Sequence, residues 1–123
     1  MKRGNIWTVA GGNDDAGKPR LVVILQDDSF DATPSITICA FTTDSTEAPL
    51  FRLPIAPTKR NALRAPSRLM IDKITTVPKS KLGTRLGRLD AADIIRLNQA
   101  TLVFLGLAAS PRRPHIDAPP PSP

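Results

Sequence analysis

At 123 residues the chain has the size of one ordinary domain, and 41% hydrophobic with 23% charged residues is enough to build a core. No apolar run approaches the ~18 residues of a membrane span, the start MKRGNIWTVAGGNDD lacks the apolar stretch of a secretory signal, and a single cysteine, Cys39, allows neither an internal disulfide nor a cysteine-based zinc site. The expectation is a soluble cytoplasmic protein, and the net charge of +6 points to an anionic partner.

Gly4-Asn-Ile-Trp-Thr-Val9 alternates, with Ile6 and Thr8 on one face and Trp7 and Val9 on the other, and predicts a first strand. Ala10 to Pro19 is rich in Gly, Asn and Asp and reads as a loop. Leu21 to Leu25 is an unbroken apolar run dense in β-branched residues, the pattern of a strand buried on both faces. After a polar loop from Asp27 to Pro34, Ser35 to Thr43 is a third strand with Cys39 buried in it. Leu50 to Leu53 is a short strand before a loop at Pro54 and Pro57. Arg68 to Ile71 with Ile74 to Val77 forms one further strand, and Leu82 to Leu86 a short strand or turn.

The period then changes. From Leu89 onward, Asp90 sits where an N-cap belongs and Asp93 at the third helical position, both suited to the positive end of a helix. Ile94, Leu97, Thr101 and Leu105 share a helical face that Leu102 and Phe104 widen, and Gly106 is the expected stop. Ser110 to Pro123 carries six of the thirteen prolines and is expected to be a disordered or polyproline-II tail, so the domain is placed at 1–108 and the tail at 109–123. About six strands closed by one helix predict a small, strongly curved antiparallel sheet or barrel, mostly β with a C-terminal helix.

The charge is concentrated. Residues 52–88 hold ten Lys/Arg against Asp72 alone, whereas residues 1–51 hold four against seven acids. An excess of that kind suits a phosphate backbone. Trp7, Phe30, Phe41, Phe51 and Phe104 are the full aromatic set, too few for an extended base-stacking platform.

Catalytic groups are few. His115, the one histidine, lies in the proline-rich tail, so histidine acid–base chemistry and a Ser–His–Asp triad are not expected. Neither GxxxxGKS/T nor GxGxxG follows a strand, and no cofactor is expected. Asp14-Asp15 and Asp27-Asp28 are the one pattern compatible with a divalent cation; neighbouring acids in polar loops are ordinarily just solvated, and no metal is assigned. Arginine, threonine and a few carboxylates remain. They suffice for cleavage of RNA, whose own 2′-hydroxyl is the nucleophile, because the enzyme need only orient it, move two protons and stabilise phosphoryl charge.

Gly4-Asn-Ile-Trp7, Ala16-Gly-Lys-Pro-Arg20-Leu-Val-Val-Ile24, Phe41-Thr42-Thr43, Ile71-Asp72-Lys73-Ile74 and the closing helix follow in one order. Over residues 2–108 this succession resembles the MazF/PemK (Kid-like) toxins of bacterial toxin–antitoxin pairs. The resemblance implies an SH3-like barrel and a homodimer. It also implies metal-independent, sequence-specific cleavage of single-stranded RNA to 2′,3′-cyclic phosphate and 5′-hydroxyl ends, inhibited by a cognate antitoxin with an acidic C-terminal segment.

The family's catalytic arginine maps to Arg20, although Leu21 stands where the family has proline and an alignment through Lys18 stays open. Thr42-Thr43 match the family's threonine pair, the first hydroxyl helping to hold the phosphate. Asp72 matches an acidic position proposed as general base in some members, and is equally suited to pairing with Arg68 or Lys73. Asn13, Asp14 and Lys18 fall in the loop that borders the family's RNA site; Arg68, Lys73 and Lys79 are further candidate phosphate contacts by charge. Two other readings remain at this stage: a non-enzymatic poison of DNA gyrase of the CcdB type on the same fold, and an inactive paralogue.

Overall fold

The computed structural model describes residues 1–10, 20–44 and 51–109. The expected loop after Ala10, with Asn13, Asp14 and Lys18, and the tail from Ser110 lie outside them. Among the described residues seven strands and one α-helix follow in chain order: β1 (Asn5–Val9), β2 (Arg20–Ile24), β3 (Ser35–Thr42), β4 (Arg52–Ile55), β5 (Ser67–Met70), β6 (Thr75–Pro78), β7 (Leu82–Arg88) and α1 (Ala91–Phe104). All pairings are antiparallel. The sheet runs β4-β5-β3-β2-β1-β7, with β6 joined to β3, and it does not close on itself.

The β-branched runs make the centre. Val22 and Val23 on β2 face opposite sides of the sheet, as a doubly buried strand requires. On one side Ile6, Val23, Cys39, Phe41, Leu69 and Ile71 form the main core, which α1 covers through Leu97. On the other, Val9, Val22, Ile24, Ile36 and Ile38 pack with Trp7 and Leu82. Burial pushes the Cys39 thiol up to about 12, so it sits as a neutral core residue, its Sγ donating to the Met70 carbonyl at 3.4 Å.

Three expectations change. The strand drawn through residues 68–77 is two strands, because Ile71–Lys73 forms a single 3₁₀ turn. The turn lets β5 pair with the end of β3 at Phe41 and Thr42, and β6 with its start at Ser35–Ile38, which curls the sheet around β3. Of the short strand expected at Leu50–Leu53, Leu50 lies outside the described residues and the rest leads into β4, which begins at Arg52 and runs through Pro54 to Ile55; β4 is an edge, where a residue without an N–H is tolerated. The element at Leu82 is a full strand to Arg88, the other edge, with two irregularities against β1.

In α1, Asp90 is the N-cap by position, its carbonyl accepting from Asp93 and Ile94, but its side chain makes no capping hydrogen bond. Gly106 ends the helix with φ +77°, and Leu107 N–H donates back to the Leu102 carbonyl at 2.8 Å, closing a Schellman turn. The predicted apolar face is only half used. Leu97 is wholly buried, whereas Leu102, Phe104 and Leu105 are 42%, 45% and 57% exposed. The last turn extends past the core, where Phe104 meets Phe51 with ring centroids 6.1 Å apart.

Candidate active site

The sheet register brings the central candidates together. β2 pairs with β3 through Val22 and Ala40, and continuing that antiparallel register by two residues puts Arg20 opposite Thr42. On the other side of β3, Thr42 is paired directly with Arg68 of β5. Residues opposite one another across antiparallel strands share a face. Arg20, Thr42 and Arg68 therefore form a row across three adjacent strands, on the face away from Phe41 and Leu69, which point into the core.

A shallow cavity of about 260 Å³ opens at this end of the sheet, lined by Arg20, Leu21, Phe41, Thr42, Thr43 and Ser67. Thr42 Oγ1 accepts the Asp44 amide at 3.1 Å, a local turn that leaves its own O–H to donate. Ser67 is buried, its hydroxyl donating to the Ala65 carbonyl at 3.0 Å. It is not among the sequence candidates, because a serine beside an arginine carries no signal until the fold brings it to the same cavity as Thr42. Arg20 and Thr42 line this cavity, with Arg68 the strand neighbour of Thr42; an arginine fork beside a hydroxyl is a donor set suited to phosphoryl oxygens.

The remaining candidates lie elsewhere. Asp72 sits in the Ile71–Lys73 turn and is bound by Arg52, with Nε to Oδ1 at 2.9 Å and Nη2 to Oδ2 at 3.2 Å, rather than by Arg68 or Lys73. It lines a different, larger cavity of about 550 Å³ together with Phe30, Ile74 and Phe104. Lys73 is the exposed neighbour of Asp72. Lys79 is held by Asp31, donating to its carbonyl oxygen with the carboxylate at 3.4 Å. It follows Pro78, the partner of Ser35 at the opposite end of β3 from Thr42, some ~23 Å away along the strand. Asp27 and Asp28 turn to different partners: Asp27 takes the Ser29 amide and hydroxyl, and Asp28 the Arg3 amide. Among the described residues no three His, Cys, Asp or Glu side chains come together, and no helix is long and apolar enough to cross a membrane.

The Arg52 hydrogen bonds hold the Asp72 carboxyl below the usual carboxylate range, against the opposing effect of partial burial. A carboxylate lowered on folding contributes stability that is fully present above its unfolded value and is lost as pH falls through the folded one. The urea midpoint of the native chain should therefore drop below about pH 4 more steeply than that of Asp72→Asn. Parallel curves for the two would mean that the pair contributes nothing.

The chain matches the model of the PemK-like, MazF-like toxins of type II toxin–antitoxin systems over residues 2–105. It is 54% identical over 108 residues to a probable endoribonuclease MazF of Mycolicibacterium smegmatis, covering 88% of this chain and 99% of that protein. Among solved structures it is similar to a mycobacterial endoribonuclease in complex with its cognate antitoxin, with a TM-score of 0.74 and 21% identity over 89% of this chain and 99% of that one. The Mycobacterium tuberculosis toxin MazF-mt6 has the same fold, at TM-score 0.70 and 24% identity, over 85% and 98% of the two chains.

Proposed function

The chain belongs to the PemK-like, MazF-like toxins of type II toxin–antitoxin systems, and from that footing we propose that it is an endoribonuclease cutting single-stranded RNA at the row Arg20–Thr42–Arg68. The observation that carries this reading is the shared cavity: the arginine taken from the family pattern and the matching threonine both line it. The 2′-hydroxyl oxygen attacks the adjacent phosphorus, the bond to the 5′-oxygen breaks, and a 2′,3′-cyclic phosphate and a 5′-hydroxyl result. One proton leaves the 2′-oxygen and one reaches the departing 5′-oxygen.

Arg20 stabilises charge developing on the non-bridging oxygens, Thr42 donates to one of them, and Arg68 supplies a second cation from the other side. A guanidinium keeps its charge and is a poor base, so its part is electrostatic. Asp72 acts one step removed, by pairing with Arg52 on β4, the strand beside β5. Solvent water takes the proton from the 2′-oxygen and supplies the one that reaches the 5′-oxygen, and the reaction needs no metal.

The toxin domain spans 1–108 and works in the cytoplasm as a homodimer, where messenger RNA is its substrate. Its antitoxin lays an acidic C-terminal segment over the same basic surface, the ten-to-one cationic stretch of residues 52–88. A gyrase-binding toxin on this fold would have no use for a phosphate cradle. Incubation of the purified protein with a long single-stranded RNA in excess EDTA should yield fragments with cyclic phosphate and 5′-hydroxyl ends. Cleavage that appears only with added Mg²⁺ or Mn²⁺ would overturn the metal-free mechanism.

A further inference from the structure

A second cationic pocket lies at the other end of the same strands. A cavity of about 240 Å³ is lined by Lys2, Arg3, Asn5, Asp28, Arg60 and Arg88, beside the first turn of α1. Four cations face it against Asp28 and the adjoining Asp90, which stands 3.6 Å from Arg60 Nε. Arg3 is fixed by its Nε to the Leu25 carbonyl at 2.8 Å and by its amide to Asp28. Arg60 is carried on a braced loop: wholly buried Asn61 accepts the Thr58 and Leu63 amides and donates to the Ala56 carbonyl, and Ala62 turns the chain at φ +58°.

That loop is clamped on β7. Arg88 N–H donates to the Arg60 carbonyl at 3.0 Å, and a Cβ at Gly87 would stand 2.4 Å from the same oxygen, so no other residue fits there. The backbone thus holds Arg60 and Arg88 together, although like charges in proximity repel and ask for an anion.

The pocket is connected to the cleavage row. Val9 of β1 pairs with both Arg20 and Leu82, and Asn5 at the other end of β1 pairs with Arg88. Four residues along β1 and two strand spacings across put the two sites roughly 16 Å apart. The exposed cations Lys81, Arg85 and Arg88 mark the β7 edge between them.

We propose that the pocket formed by Lys2, Arg3, Arg60 and Arg88 binds a backbone phosphate of the RNA strand several nucleotides from the cut, the strand running along the β7 edge. This rests on the RNA reading above and extends it to substrate length. RNA suits the pocket because a strand held at Arg20 carries a charge at every nucleotide and must present one here, and because arginine forks match phosphate oxygens.

The test uses the full chain and two uncleavable RNAs with 2′-deoxyribose at the scissile position, one covering only the cleavage site and one extended on both sides. Lys2→Ala/Arg88→Ala should weaken binding of the extended strand by about tenfold, as expected when hydrogen bonds to a charged group are lost, with the short strand changed far less. Its salt dependence on the extended strand should fall by about 0.7, one phosphate's worth on a single strand. Arg96→Ala, which removes a cation paired with Asp93 on α1, should leave the ratio of long to short affinities as in the native protein. Unchanged urea midpoints confirm that the variants are folded.

Equal losses on both strands, or no loss on either, would overturn the pocket and reduce the β7 cations to protection of an edge strand. Loss confined to an acidic peptide carrying no phosphate would assign the pocket to a protein partner and refute the proposal. A native protein that cuts neither strand's all-ribose form would instead sink the ribonuclease reading itself.

Discussion

Arg20→Ala should slow RNA cleavage by about 10²–10³-fold, the usual consequence of removing one donor aimed at charge that develops in the transition state. Affinity for an uncleavable strand should fall by far less, because the other cations on this surface still neutralise the backbone. The difference follows from position: Arg20 and Thr42 line one cavity, where a phosphoryl group would rest between them. Arg20→Lys should recover only part of the rate, since a point charge cannot match two oxygens as the fork does. Thr42→Ala should cost less than Arg20→Ala, removing a hydroxyl and no charge. The alternative alignment through Lys18 gives the reverse order. If Lys18→Ala abolished cleavage and Arg20→Ala were mild, the row described here would not be the site.

Leu97→Ala should be the most damaging single change to the helix. Leu97 is wholly buried in the main core, where truncation of a leucine costs about 2–5 kcal/mol. In a domain of this size that corresponds to a fall in Tm of roughly 10–20 °C. Leu105→Ala, one turn past the core and 57% exposed, should shift Tm by little. Comparable losses at both positions would mean that the last turn of α1 is covered in solution, as it would be if this end of the helix met a second protomer.

Periodicity and β-branching made the centre of the fold legible. The unbroken run at Leu21–Leu25 could only be a strand buried on both sides, and Val22 and Val23 do face opposite layers. Where partners decide, the sequence was silent. A helical stripe says which residues align, but not how far the sheet beneath extends, so Leu102 and Phe104 read as core and lie exposed. The single strand drawn through residues 68–77 hid a turn, because Ile71 and Ile74 look like any β-branched pair until β3 offers separate ends to β5 and β6. Asp72 was matched to the cations nearest in sequence, whereas strand pairing of β4 with β5 delivers Arg52 from twenty residues away.

The site shows the same division. Arg20 and Thr42 came from the family pattern, and their facing each other is a property of register that no spacing rule contains. Arg68 was a candidate by charge alone; its place opposite Thr42 makes it the third member of the row. Ser67 gave no sequence signal. Asn13, Asp14 and Lys18 remain candidates for the border of the RNA site, in a stretch outside the described residues.

The central claim is that the substrate's own 2′-hydroxyl attacks phosphorus while Arg20 and Thr42 hold the phosphoryl oxygens. The direct measurement is the fate of a strand carrying 2′-deoxyribose only at the scissile position, compared with its all-ribose counterpart in EDTA. The account predicts that both bind with similar affinity, that the all-ribose strand is cut to a cyclic phosphate end, and that the deoxy strand stays whole. Cleavage of the deoxy strand at the same bond would contradict it, since a hydroxyl that is absent cannot be the nucleophile.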